Sequence, residues 1–164
     1  MLDAFVHLFW VWIGPHLWWI LTVLIAVAVL RFPMLGRGPD SSRYRDPWRT
    51  YRFAARDQLM ARAGNRCEAP RFFAWGRCVS PAAEADHVMP WSQGGPTVLS
   101  NGQALCRGHN RSKGALTPPW WYVMGLEKRR RGYFPTGVDP RVVAVLGEGD
   151  HAARAQWQAG KNRK

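Results

Sequence analysis

Three cysteines and one histidine have types and spacings that suit a metal site. Ten residues separate Cys67 from Cys78, and a C-x2-H pair follows at Cys106 and His109. Thiolate sulfur and imidazole nitrogen are ligands that Zn²⁺ prefers, and four of them fill its tetrahedral coordination sphere. The pattern predicts one structural zinc ion with no open position for a reacting water. The alternative is that the cysteines are metal-free core residues, as buried thiols often are.

A second group of polar residues overlaps the first. In chain order it reads Asp86-His87-x2-Pro90, Gly94-Gly95, Asn101, Leu105-Cys106 and Asn110-x2-Lys113. In the order of these pieces the sequence resembles the HNH endonuclease family. The resemblance implies a ββα-metal fold, in which Asp86 and His87 lie on the first strand, Gly94-Gly95 in the connecting loop and Asn110 on the helix.

The resemblance also implies which residues carry out hydrolysis of a DNA phosphodiester bond. His87 is the expected general base, since a neutral imidazole can take a proton from water near neutral pH. Asp86 and Asn110 offer hard oxygen ligands that suit one catalytic Mg²⁺ or Mn²⁺ ion. Asn101 matches the family's middle Asn, whose amide holds the loop and orients the histidine. A plain turn-forming Asn would have the same sequence pattern.

The third motif position departs from the commoner family pattern. Many family members have Cys where this chain has His109, and His where it has Asn110. The chain therefore resembles the HNN variant, with a Cys3His zinc site and Asn110 as a ligand of the catalytic ion. In the alternative assignment, His109 binds the catalytic ion and only the three cysteines remain for zinc.

Basic residues greatly outnumber acidic ones. The chain has 23 Lys and Arg against 11 Asp and Glu, which gives a formal net charge of +12. Such an excess favours a polyanionic partner, and with this motif the expected partner is DNA. Arg111 and Lys113 follow Asn110 on the predicted helix and are candidates for binding substrate phosphates, although a solvated helix face has the same pattern. An anionic membrane surface would attract the same charges.

The first 31 residues form a hydrophobic segment. The run from Leu8 to Leu30 contains no formal charge and is long enough, as a helix, to cross a bilayer core. Gly14-Pro15 interrupts the run, so a kinked or interfacial helix is one alternative. A secretory signal, a buried core helix and a true start at Met34 are others.

Basic residues follow the run from Leu8 to Leu30 and none precedes it, which predicts that the rest of the chain is cytoplasmic. The nearest are Arg31, Arg37, Arg43 and Arg45. The expected protein is therefore a single-pass membrane protein with its nuclease domain on the cytoplasmic side. Three cysteines are too few for a disulfide framework, which agrees with a reducing compartment.

The remainder of the chain is predicted to contain one small α+β domain stapled by zinc. Residues 32–49 are rich in Pro, Gly, Ser and Arg and are interpreted as a linker. The nuclease domain is expected over 50–116, beginning with a helix over 50–64. A basic C-terminal extension is expected over 117–164, with a helix over 120–131. Two alternative functions are a catalytically inactive zinc module that binds nucleic acid and a membrane-associated interaction protein.

Overall fold

The chain divides into two compact units. The computed structural model describes residues 2–32, 45–72 and 75–161. One unit is Met1–Phe32 and the other is Pro33–Lys164. Most of the predicted linker, with Arg37, Arg43 and the alternative start at Met34, lies outside the described residues.

The N-terminal unit consists of two apolar helices. Helix α1 spans Leu2–Ile13 and helix α2 spans Leu17–Arg31, and a 3₁₀ turn at Gly14–His16 joins them. Pro15 lacks the N–H that an α-helix interior needs, which explains the change of helix type at the predicted interruption. Phe9–Arg31 is 23 residues long and apolar enough to cross a membrane, and none of its residues is buried. Its length and composition are those of a membrane-spanning helix or a signal sequence, and its exposure argues against a core helix.

Within the described residues, the C-terminal unit combines four helices with one two-stranded antiparallel sheet. The helices are α3 (Phe53–Arg62), α4 (Arg107–Lys113), α5 (Trp120–Arg130) and α6 (Glu148–Lys161), and the strands are β1 (Glu84–His87) and β2 (Gly102–Leu105). The succession β1, β2, α4 is the ββα unit that the resemblance implied, so the predicted α+β class is confirmed. Helices α3 and α5 lie within the two predicted helical ranges.

Helix α3 packs closely on β2, which is buried along its whole length. A Cβ atom at Gly102 would lie 2.5 Å from a Leu59 side-chain carbon, so only glycine permits this approach. Arg62, at the end of α3, donates hydrogen bonds to the carbonyls of Leu99 and Gly102. Gly102 is paired with His87 in the sheet, and α3 therefore fixes the backbone opposite that histidine.

A buried ion pair between Glu68 and Arg130 joins α5 to the sheet. Both residues are 0% exposed, and Arg130 Nε lies 2.9 Å from Glu68 Oε1. The Tyr133 hydroxyl donates to Glu68 Oε1 at 2.7 Å, and the Ala104 N–H donates to Oε2 at 2.7 Å. Burial raises the pKa of Glu68, but the charge of Arg130 and these hydrogen bonds outweigh it and hold the pKa below its ordinary value. The carboxylate is therefore ionised and bonded from three sides.

Replacing Glu68 by Gln should lower the free energy of unfolding by about 3–5 kcal/mol, because the Arg130 charge would stay buried without its partner. The matched control is Asp139→Asn, which removes the carboxylate that pairs with Arg141 at 2.8 Å on the surface. Solvent screens that pair, so the control should leave stability almost unchanged. Urea unfolding of the full chain in detergent measures both effects, and similar small losses in the two variants would contradict the prediction.

Candidate functional site

The four residues of the predicted zinc site lie together. The ligand atoms of Cys67, Cys78, Cys106 and His109 are all within 4.8 Å of one another. His109 Nδ1 lies 3.2 Å from Cys106 Sγ and 3.6 Å from Cys67 Sγ. A tetrahedral zinc ion with Zn–S and Zn–N bonds of about 2.3 and 2.0 Å separates its ligands by similar distances. The predicted grouping is confirmed, its donors and spacing fit one zinc ion, and none of the three cysteines is in a disulfide.

A loop before the sheet and the start of α4 bring these ligands together. Cys67 and Cys78 lie on two arms of one loop, where the Cys67 N–H donates to the Ser80 carbonyl at 3.0 Å. Cys106 directly precedes α4 and His109 lies in its first turn, so the C-x2-H spacing presents both side chains on one side. His109 thus belongs to the cysteine group, which is the arrangement of the HNN assignment and not of the alternative.

Asp86 and Asn110 lie on the strand and the helix that the resemblance implied. The sheet register places Asp86 opposite Gln103, whose Nε2 lies 3.3 Å from Asp86 Oδ2. The same carboxylate oxygen is 2.9 Å from Lys113 Nζ. Asn110 Nδ2 donates a hydrogen bond to Glu84 Oε2. Since residues 84 and 86 share one face of β1, these side chains form a polar patch between β1 and α4.

The donor types of this patch suit a hard divalent cation. Two carboxylates and an amide supply oxygen ligands, and the Asp86 side chain is 22% exposed, so a solvent molecule or a phosphate can reach it. Lys113 is beside the same oxygen, so a cation bound there would displace its ammonium group. Glu84 was missed by the sequence analysis, although its position two residues before Asp86 on a strand is a usable signal.

His87 lies at the end of β1 and is only 6% exposed. Its Nε2 is 2.9 Å from the Thr97 hydroxyl oxygen, and that hydroxyl donates to the Trp48 carbonyl. A carbonyl only accepts and a hydroxyl has one proton, so His87 Nε2 must carry the hydrogen of this contact. The lone pair of the neutral ring is then on Nδ1. Burial lowers the pKa of His87 to about 4, against the opposing charge of Asp86, so the ring is neutral near pH 7.

Asn101 holds the loop that follows His87. It is fully buried, its Oδ1 accepts the Met89 N–H at 2.8 Å, and its Nδ2 donates to two loop carbonyls at 3.1 and 2.9 Å. The loop is tight, since a Cβ atom at Gly95 would lie 1.9 Å from the Met89 carbonyl oxygen. The side chain of Asn101 therefore bonds to the loop, while the hydrogen-bond partner of the His87 ring is the Thr97 hydroxyl.

Residues outside the predicted nuclease domain hold Thr97 in place. Asp46 Oδ2 accepts the Thr97 N–H at 2.8 Å and lies 2.9 Å from the Arg154 guanidinium. Arg154 also donates to the Thr97 carbonyl at 2.9 Å and lies 4.0 Å over the Trp48 ring. Both members of the ion pair are buried. Sequence analysis placed Asp46 and Trp48 in the linker and Arg154 in the basic extension, and it did not single out Thr97, because no local pattern marks these contacts.

The fold and the site together define a class of protein: a ββα unit with a Cys3His cluster, an Asp-His pair at the end of β1 and an Asn on α4. The family model described as HNH endonuclease matches residues 66–116, which contain the Cys3His cluster, both strands and α4. Residues 66–116 of this chain therefore have the sequence features of an HNH domain. Neither a curated protein nor a solved structure matches the chain. Asp46, Trp48 and Arg154 lie outside the matched residues.

Replacing His109 should show whether this residue is a zinc ligand or only packs in the domain. His109→Ala removes one of four ligands and should cause loss of zinc together with loss of the cooperative unfolding transition, because a structural zinc ion supplies folding free energy. His109→Cys offers a thiolate at the same position and should retain both. Zinc content by elemental analysis and thermal unfolding of the purified full chain measure these outcomes. A stable, zinc-replete His109→Ala protein would show that the residue is not a zinc ligand.

Proposed function

We propose that this protein is a metal-dependent endonuclease that hydrolyses phosphodiester bonds of DNA. The observation that carries the proposal is the neutral His87 ring, which Thr97 contacts at Nε2, directly after Asp86 in an HNH domain. Hydrolysis needs a base for water and a counter-charge for the phosphate. The His87 ring is the proposed base. The oxygen ligands of the patch between β1 and α4 suit a metal ion, which would be the counter-charge for the phosphate.

Each motif residue has a distinct role in this proposal. Asp86 and Asn110 would hold one Mg²⁺ or Mn²⁺ ion, which when bound stabilises the charge that develops on the phosphate and the leaving oxygen. His87 Nδ1 accepts the proton of the attacking water. Thr97 keeps the hydrogen on Nε2, and Asn101 keeps the loop after His87 in its place. The Cys3His cluster would hold a structural zinc ion, because its four ligands leave no open position.

Lys113 and Arg111 are proposed to bind substrate phosphates. Arg111 is exposed on α4, and the Lys113 ammonium contacts Asp86 at 2.9 Å. A divalent cation on Asp86 would repel that ammonium and release it toward a phosphate. With the net charge of +12, these contacts favour a long polyanion such as DNA over a small substrate.

His87→Ala should lower the rate of plasmid cleavage by roughly 10² to 10⁴-fold, the usual cost of losing a general base, while DNA binding remains. Asp86→Ala and Asn110→Ala should instead raise the Mg²⁺ concentration needed for cleavage. Excess Mg²⁺ should partly restore Asn110→Ala and should not restore His87→Ala. The assay uses supercoiled plasmid and the full chain in detergent, with and without added Mg²⁺. DNA binding with no Mg²⁺-dependent relaxation or linearisation would favour the inactive zinc module.

Thr97 provides a second arm of the same assay. Thr97→Ser keeps a hydroxyl for His87 Nε2 and should keep most of the rate, whereas Thr97→Val removes the acceptor and should slow turnover with little change in DNA affinity. The nitrogen chemical shifts of His87 should report the Nε2–H form in the wild type and in Thr97→Ser. Valine is nearly isosteric with threonine, so a fall in rate without loss of the Nε2–H signal would show that Thr97 does not set the tautomer.

We further propose that Phe9–Arg31 anchors the protein in a membrane, with the HNH domain on the cytoplasmic side. The stretch is apolar and unburied, no Lys or Arg precedes Arg31, and Arg45 is among the basic residues that follow. Basic residues flanking one end of a span favour the cytoplasmic side for that end.

A reporter fused to the C-terminus should therefore be active in the cytoplasm, and the fusion should stay in the membrane fraction after carbonate extraction. Mass spectrometry of the N-terminus provides the control, since a cleaved signal would leave a shortened chain. Recovery of the intact chain in the soluble fraction would refute the anchor, and an exported reporter would refute the orientation.

A further inference from the structure

A cleft lies beside His87, and none of the motif residues lines it. It encloses about 580 Å³, a volume typical of small-molecule sites. Tyr51 and Thr97 are part of its wall. The Tyr51 ring centroid lies 4.7 Å from that of His87, and the Thr97 hydroxyl contacts His87 Nε2. The cleft is therefore next to the proposed general base.

Besides Tyr51, three large aromatic side chains line this cleft: Trp48, Phe53 and Trp157. Phe53 is 85% exposed and Trp157 is 44% exposed, although such rings are normally buried in a folded domain. Phe53 also has a φ of 46°, in the left-handed region that bulky residues rarely adopt. Backbone conformations of this kind persist where the surrounding structure fixes them, most often at binding and active sites. The chain thus holds the Phe53 ring outside the core.

The charge around the cleft is positive. Arg49 and Arg52 are lining residues, and both are exposed. Lys161 Nζ lies 5.6 Å from the centre of the Trp157 ring. Among the described residues that line the cleft, none is acidic. Exposed aromatic rings between basic groups match the composition of single-strand binding sites, in which rings stack on bases and cations contact the backbone.

We propose that this cleft binds an unpaired segment of a DNA strand. Phe53 and Trp157 would stack on bases, and Arg49 and Arg52 would contact the phosphates. A duplex keeps its base faces stacked and unavailable, so the cleft distinguishes unpaired from paired DNA. The inference rests on the proposed nuclease function, and it names the substrate class: DNA with unpaired nucleotides next to the scissile bond.

The test measures the affinity of the full chain, in nanodiscs of neutral lipid, for a fluorescently labelled oligothymidine and for a duplex of equal length. Fluorescence anisotropy reports the binding. No Mg²⁺ is added, so cleavage does not interfere. Phe53→Ala and Trp157→Ala should each weaken oligothymidine binding about fivefold to 150-fold, the range that loss of one base-stacking ring covers. Both should leave duplex binding nearly unchanged, and Phe53→Tyr should retain the wild-type affinity.

The matched control is Trp75→Ala. Trp75 is 74% exposed and has Lys128 5.8 Å from its ring centre, yet it does not line the cleft, so its removal should not change either affinity. Thermal unfolding verifies that each variant is folded. Two separate aromatic variants are used so that the test remains possible if one of them does not fold. Wild-type oligothymidine affinity in both cleft variants would overturn the proposal.

Two further outcomes separate this proposal from its rivals. Nanodiscs with anionic lipid test a membrane-facing surface: hydrogen-exchange protection of residues 47–53 by anionic lipid, with none by oligothymidine, would overturn the DNA assignment. Binding that depends on Phe53 and Trp157 in a protein that never cleaves plasmid would refute the nuclease function and leave the cleft proposal standing. Mg²⁺-dependent cleavage together with oligothymidine binding that depends on neither ring would support the nuclease function and refute the cleft proposal.

Discussion

The Glu68 carboxylate is the contact on which the arrangement of the HNH domain depends. A fully buried charge is tolerated only when it is paired and hydrogen-bonded, and Glu68 meets this condition by binding Arg130, Tyr133 and the Ala104 N–H. Its sequence neighbour is Cys67, while Ala104 lies two residues before Cys106. The backbones carrying the two halves of the Cys3His cluster are therefore tied by a carboxylate as well as by the ligand atoms themselves.

Burial of acidic residues also changes how the net charge is distributed. Asp46, Glu68 and Glu127 are all buried, the first two in ion pairs with arginines and the third accepting the Val142 N–H at 2.8 Å. The charges of Asp46 and Glu68 are therefore neutralised locally by Arg154 and Arg130. Because each ion pair removes one acidic and one basic group, the excess positive charge of +12 remains on the other residues, where it attracts a polyanion.

Sequence reasoning located the Cys3His cluster, the Asp-His pair and the helix that bears Asn110 because each depends on spacing within a short stretch. The ββα succession followed from the same motif. The contacts that hold Thr97 beside His87 could not be predicted. The Asp46 and Arg154 side chains are separated by 108 residues of sequence, and periodicity does not indicate such a pairing. For the same reason Asp46 and Trp48 were interpreted as linker. Lys113 was expected to face a phosphate, and only the folded structure shows its contact with Asp86.

The ion pair between Asp46 and Arg154 joins residues that are 108 positions apart, so the contacts that hold Thr97 are completed late in synthesis of the chain. A ribosome delivers the strands and α4 well before α6, so a nascent chain can complete its zinc-ligand set while Arg154 is still inside the exit tunnel. During that interval Thr97 lacks its contact with Arg154, and the carboxylate of Asp46 lacks its ion pair with that residue. The contacts of Arg154 with Asp46 and with the Thr97 carbonyl form only when α6 closes on the domain, which requires that residue 154 has been translated and released from the tunnel.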